Sequence, residues 1–459
     1  MTLQSINPAT GAVLRTWPAM DAAACAAVVD AAGRAQAAWR RTGIDDRAAV
    51  VRRVAALLAR DREALARGMT LEMGKPIAQS RAEIDKCAWA CAYFADHGPG
   101  FLAPEAVPTD GRRSYVAFRP LGVVLGIMPW NFPYWQVLRF AAPALVAGNA
   151  VVLKHAPNVT GCAEAIAALW HEAGLPEGLF GVLRIAPADV DAAVAALVAH
   201  PAVQAVTLTG STRAGRAVAA RAGAHVKKTV LELGGSDPSV VLADADVDAA
   251  ARACAASRLI NGGQSCIAAK RFVVVDAVRA AFTERLVAHL AAACVGDPLA
   301  DDTDVGPLAR LDLRDTLHGQ VAASVAAGAR PLLGGAVPAG PGAYYPVTVL
   351  ADVAPGMPAY AEETFGPVAA VIAARDTADA LRIANDTAYG LGAAVYTADV
   401  AAGERIAADD LDAGSCFVNA FVKSDPRLPF GGIKHSGYGR EMGAFGIREF
   451  VNVKTVYVA

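Results

Sequence analysis

Apolar positions recur at helical spacing over Asp21 to Arg41 and over Asp45 to Met69, each run opened by an aspartate suited to cap a helix. A third helix is predicted over Ala78 to Asp96. The stretch Gly98 to Gly111, rich in Gly and Pro, reads as a loop. An extended run follows over Ser114 to Ile127, interrupted at Arg119-Pro120. From Ala150 onward the pattern alternates. Strands are predicted at Ala150 to Lys154, Gly181 to Ile185 and Ala202 to Thr209, with helices near Cys162 to Ala173 and from Val190. Such alternation implies a parallel sheet covered on both faces. It restarts after Gly235 with a short strand at Ser239 to Leu242, a helix at Asp246 to Leu259 and a strand at Arg271 to Val275. Two further strand–helix units are expected, the later one opening with Val368 to Ala374. The last residues, Glu449 to Ala459, alternate as a strand that needs a sheet to join, and a neighbouring subunit could supply it. The expected fold class is α/β, with two domains that break near Glu232 to Gly235.

Length supports this division, because 459 residues exceed one ordinary domain. A hydrophobic content of 54% is ample for large cores. The net charge of −2 leaves no electrostatic footprint for nucleic acid. Met1 to Pro8 has neither a basic nor an apolar region, so no signal peptide is expected. The longest apolar stretches, Leu121 to Trp130 and Ala141 to Leu153, are too short to span a bilayer. None of the 8 cysteines forms a Cys-x-x-Cys, and no histidines are spaced as ligands, so no metal site is expected. Cys87 and Cys91, four apart on one predicted helix, read as core packing. A reducing cytoplasm fits this usage best.

Chemistry concentrates at Cys266. It follows Asn261-Gly262-Gly263-Gln264-Ser265, a flexible setting that none of the other cysteines has. A thiol nucleophile needs exposure, a base and a permissive backbone. Glu232 in Leu231-Glu232-Leu233-Gly234-Gly235 is the candidate base, able to activate a water that hydrolyses a thioester. Its leucine and glycine flanks argue against a plain solvated strand end. Attack of a thiolate on an aldehyde creates an oxyanion that needs a neutral donor. Asn131, pinned between Pro129 and Pro133, fits that role, and equally fits a turn asparagine. Val206 to Gly215 reads as a strand, a tight turn and a helix start, where a pyrophosphate or an ordinary cap could sit. Lys154 ends a predicted parallel strand and would face a ligand crevice or solvent. Glu363 and Phe365 could hold a ribose and a flat ring, or serve as a cap and a core aromatic.

Taken in order, these segments resemble the aldehyde dehydrogenase superfamily. The matching pieces are Pro129-Trp130-Asn131-Phe132-Pro133, the Lys154 strand, Thr209-Gly210-Ser211, Leu231 to Gly235, Gly263-Gln264-Ser265-Cys266, Glu363-Thr364-Phe365-Gly366-Pro367 and Pro429 to Gly437. The likeness runs from Asn7-Pro8 to the terminal strand. It implies a three-part subunit. A dinucleotide-binding domain would take 1–112 and 124–232, and a catalytic domain 233–425. A β arm for oligomerisation would take 113–123 and 444–459, with 426–443 returning to the cofactor domain. It implies Cys266 as nucleophile, Glu232 as general base, and Asn131 with the Cys266 amide as oxyanion hole. Lys154 and Glu363 would hold the riboses, with Gly210 and Ser211 facing the pyrophosphate and Trp130 lining the cleft. Ile127, Pro129, Pro157, Leu233 and Phe365 complete the implied NAD or NADP site. A homodimer or homotetramer is implied.

Within the superfamily the chain is similar to bacterial succinate-semialdehyde dehydrogenases of the shorter type, through Lys154 to Val159, Gly234 to Pro238 and Ala268 to Phe272. The resemblance makes Arg139 the partner of a distal substrate carboxylate. Trp135, Ser265 and Ser424 are expected to line the substrate pocket, with Phe132, Ile267 and Phe430. Three departures stand out. Ile260 occupies the place of a second arginine found in the longer enzymes, with Arg258 two residues before it. Ala268 replaces a cysteine that forms a redox switch in some relatives. Pro157 replaces the glutamate of strictly NAD-dependent relatives, so NADP should be accepted. Glutarate semialdehyde or another small aldehyde is the alternative substrate.

Overall fold

The computed structural model describes residues 1–459. One six-stranded sheet is built from Val123–Met128, Ala150–His155, Phe180–Leu183, Val203–Thr209, Lys228–Glu232 and Gly437–Tyr438. Only the last runs antiparallel, pairing Gly437 with Glu232. The chain enters at Val123–Met128, adds two strands on one side and then returns to add two on the other. The strand order therefore reverses between Val123–Met128 and Val203–Thr209, and the connections that leave their carboxyl ends run to opposite sides, a crevice that parallel sheets use for ligands.

A second sheet of seven strands has the order Arg330–Leu333, Thr348–Ala351, Val368–Ala374, Arg271–Val275, Pro238–Val241, Gly392–Tyr396 and Ser415–Val418. Its one antiparallel strand is Arg330–Leu333. The chain leaves the first sheet at the carboxyl end of Lys228–Glu232 and enters the second at Pro238, so Glu232 stands at the junction. Cys266 lies just ahead of Arg271–Val275, at the amino edge of the second sheet. The carboxyl edge of one sheet thus meets the amino edge of the other, and the site lies between them.

Several expected elements are redrawn. The helix expected over Asp45 to Met69 is two helices, Ile44–Arg60 and Arg62–Met73, broken at Asp61, whose ψ is 11°. The third helix runs on to Phe101, through Gly98 and Pro99. Burial explains this, because Gly98 packs so closely that a Cβ there would stand 2.9 Å from Val146. Arg119-Pro120 is more than an interruption. Arg113–Pro120 and Val123–Met128 belong to different sheets. The expected two units after Arg271–Val275 undercount the second sheet, which also contains Gly392–Tyr396 and Ser415–Val418. Gly392-Ala393-Ala394-Val395-Tyr396 opens with Gly and Ala, which are depleted in strands, and its burial on both faces overrides that preference.

The terminal strand Val451–Val458 pairs within its own chain, antiparallel to Arg113–Pro120, with Val451 opposite Pro120 and Val458 opposite Arg113. Glu105–Ala106 completes this three-stranded sheet, leaving Val451–Val458 as an edge with Val453 and Tyr457 exposed. No helix is long and apolar enough to cross a membrane.

Candidate active site

Three consecutive residues with positive φ, Asn261 (54°), Gly262 (59°) and Gly263 (79°), lead the chain into Cys266. At Gly263 a Cβ would fall 2.2 Å from the Gly366 carbonyl oxygen, so no other residue fits. Asn261 tolerates this backbone and ties it down. Its Nδ2 donates to the carbonyls of Asn131 at 2.7 Å and Gln264 at 3.2 Å. Asn131 Nδ2 donates to the same Gln264 carbonyl at 3.0 Å. On the far side, buried Lys270 Nζ donates to the carbonyls of Ser265 (3.0 Å), Cys266 (2.8 Å) and Ala268 (3.1 Å). Asn131 and Cys266 are therefore brought together through the loop between them. Asn261 and Lys270 are positioning residues that the sequence reading missed. Lys270 had a signal, being one of two adjacent cations, with Arg271, just ahead of the apolar run Phe272 to Val275.

The Cys266 sulfur borders a cavity but is otherwise enclosed by protein. That burial pushes its thiol up to about 12, against the pull of the Arg139 and Lys270 charges. Glu232 is also buried, and neither of its oxygens has a hydrogen-bond partner. Burial and the nearby Glu441 carboxylate raise it well above the usual carboxylate range, opposed by Arg139 and Arg440. Gly431 gives it room, since a Cβ there would lie 2.8 Å from Glu232 Oε1. Glu441 forms a buried ion pair with Arg139, which also donates to Thr209 Oγ1 at 3.0 Å. Glu441 too was missed, because its partner on the helix Trp135–Val146 is remote in the chain.

The cavity beside Cys266 measures about 640 Å³. Phe132, Trp135 and Arg139 form one wall, and Ser265 and Ile267 flank the cysteine. Ser424 and Phe430 close the opposite side. Ile260 is also in the wall, whereas Arg258 is buried elsewhere and donates to the Gly263 carbonyl at 2.6 Å. Arg139 lines the cavity as expected, yet its guanidinium is already paired with Glu441. Glu83 accepts from the amides of Tyr134 (2.9 Å) and Trp135 (3.0 Å), satisfying two orphan donors at the start of the helix that carries Trp135 and Arg139. Lys75 in turn pairs with Glu83 and lies 3.8 Å above the Phe132 ring.

Glu232 ends its strand at the carboxyl edge of the six-stranded sheet. Ile127 pairs in register with Lys154 on one side and Leu208 on the other. Lys154 Nζ makes no hydrogen bond or ion pair, and burial brings it down to about 8. An unpartnered buried cation is costly unless an anion meets it. Pro157 opens a short turn just beyond it, with no carboxylate there to repel a phosphate. Ser211 caps the helix Thr212–Ala224, accepting from the Ala214 amide at 3.3 Å, and Gly210 precedes it. Leu233 packs on Gly215, where a Cβ would be 2.5 Å away. Trp130, next to Pro129, meets Phe365 edge-on with ring centres 5.8 Å apart. Glu363 accepts from the Gly235 amide at 3.0 Å and lies 3.9 Å from Lys270 Nζ. A free cation, a helix start after a parallel strand and an aromatic pair fit an extended dinucleotide.

The aldehyde dehydrogenase family model matches residues 1–456. The chain is 49% identical to an Escherichia coli protein named as an NAD(P)+ succinate semialdehyde dehydrogenase, covering 99% of this chain and 97% of that one. It is 47% identical, over the whole of both chains, to a Synechocystis protein named as a probable NADP+ succinate-semialdehyde dehydrogenase. A solved succinic semialdehyde dehydrogenase from Streptococcus pyogenes, in complex with NADP+, superposes with a TM-score of 0.96 at 36% identity, covering 99% of each chain. Family match, full-length relatives and shared fold agree, and the chain belongs to the aldehyde dehydrogenase family.

Proposed function

We propose that this enzyme oxidises succinate semialdehyde to succinate with NADP+ or NAD+. The observation that carries the reading is the cavity ending on Cys266, with cationic side chains in its wall. The names of the Escherichia coli and Synechocystis relatives support it.

Cys266 Sγ attacks the aldehyde carbon and forms a thiohemiacetal. Its oxyanion accepts from the Cys266 amide and from the Asn131 Nδ2 hydrogen that Gln264 does not use. When bound, the nicotinamide ring supplies the hydride acceptor. Loss of hydride leaves a thioester on Cys266. Glu232 then takes a proton from water, whose oxygen attacks the thioester and releases the acid and the thiol. A carboxyl without partners is a weak anion and hence a stronger base. Glu441, paired with Arg139, raises it further. Lys154, Glu363, Gly210, Ser211, Trp130 and Phe365 would hold the cofactor. The free Lys154 ammonium beside Pro157 favours acceptance of a 2′-phosphate.

We divide the subunit into a dinucleotide-binding domain (1–112 and 124–232), a catalytic domain (233–425) and an arm (113–123 and 444–459), with 426–443 returning to the first. The free edge of Val451–Val458 suits pairing with another subunit in a homodimer or homotetramer. Eight free cysteines suit a cytoplasmic setting. A panel of aldehydes of graded length, with and without a distal carboxylate, tests the substrate. Succinate semialdehyde should give the highest kcat/KM. A higher value for glutarate semialdehyde or an uncharged aldehyde would overturn the assignment.

A further inference from the structure

We propose that Lys86 Nζ and Ser424 Oγ form the anchor for the substrate's distal carboxylate. The inference rests on the reading of the substrate as a semialdehyde acid, and adds a residue to which neither the motifs nor the family resemblance pointed. Lys86 lies on the helix Ile77–Phe101 and lines the same cavity as Cys266. Its ammonium donates to Ser424 Oγ at 2.6 Å and stacks 4.2 Å above the Trp135 ring. Three contacts fix its position: its own helix, an aromatic face and a hydroxyl.

Its charge, by contrast, is unanswered. Of the other cations in the wall, Arg139 is paired with Glu441 and Arg252 with Asp248, while Lys423 is exposed. Lys86 makes no ion pair. Glu83 and Cys87 on its own helix, Arg139 on the neighbouring helix and Asp425 on the facing loop are the charged or titratable groups around it. Asp425 is engaged by Arg427 at 2.6 Å, and Glu83 by Lys75 and two amides. Burial consequently brings the ammonium down to about 8, the mark of a cation lacking its anion. Because Ser424 Oγ accepts from Lys86, its own hydrogen remains to donate. A carboxylate bound there gains one ammonium and one hydroxyl donor. Ile260, in the same wall, adds no charge.

The test compares succinate semialdehyde with butanal, which has the same chain length without the carboxylate, in the holoenzyme and in Lys86→Met, Lys86→Arg and Ser424→Ala. The readout is the ratio of the two kcat/KM values. It should fall roughly 10- to 100-fold in Lys86→Met, mostly through KM for the semialdehyde. Ser424→Ala should lose less, and Lys86→Arg should retain most of the preference. NADP+ binding, measured by fluorescence, checks that each variant is folded. A high ratio in the parent that persists in Lys86→Met and in Ser424→Ala overturns the anchor and leaves the function standing. A ratio near one in the parent overturns the substrate reading, and the anchor with it.

Discussion

The loop that carries Cys266 and the groups that face it are built on opposite principles. Around the cysteine the side-chain donors are tied down. Asn261, Asn131 and Lys270 together make six hydrogen bonds to carbonyls of the loop and of Asn131. Across from it Glu232 and Lys154 are buried and Lys86 is half-buried, and none of the three has a counter-ion bound to it. Satisfied groups fix where the reacting atom sits. In the proposed mechanism each unsatisfied group awaits a partner: water at Glu232, cofactor at Lys154, substrate at Lys86. The comparison teaches that unanswered charge marks function here more sharply than the hydrogen-bonded network does.

The largest effect should come from the one reacting atom in the tied-down region. Cys266→Ala should lower turnover roughly 10⁴-fold or more while NADP+ still binds, measured by steady-state rate and fluorescence titration. Activity within tenfold of the parent would break the assignment. Next comes the network itself. Lys270→Met strips the donor from three carbonyls, so stability should fall by about 2 kcal/mol or more, read by thermal melting, with kcat falling alongside. A variant as stable as the parent would show that the loop does not depend on these bonds. Among the unanswered groups, Lys154→Ala should raise KM for NADP+ roughly tenfold and KM for NAD+ less. Equal effects on both would remove the phosphate from the argument. The smallest effect is a pH dependence. Lys86 is cationic below about 8 and neutral above it. KM for succinate semialdehyde should therefore rise as pH passes through about 8, and this rise should vanish in Lys86→Arg. A flat profile in the parent would contradict it.

Much of this was legible in the chain. Cys266, Glu232 and Asn131 lie in short runs with glycines or prolines that stand out in the sequence, and the ordered motifs carried the family. The parallel sheets followed from the alternation after Ala150. What escaped depended on approach in space. Glu441 is invisible until Gly437–Tyr438 folds against Lys228–Glu232 and brings its neighbourhood beside Arg139. Lys86 reads as one more polar residue of a helix until Ser424 and Trp135 close on it. The strand Gly392–Tyr396 was hidden by its small residues, and the helix end at Phe101 by Gly98 and Pro99, because burial outweighed local preference in both.

The central claim is that Cys266 carries a thioester which Glu232 resolves. Glu232→Gln, mixed with succinate semialdehyde and NADP+ in rapid quench, tests it most directly. One equivalent of NADPH should form in a fast burst, followed by turnover slowed roughly 10²-fold or more, with mass spectrometry finding a succinyl group on Cys266. Steady turnover at the parent rate without a burst, or an acyl group on any other residue, would contradict the account.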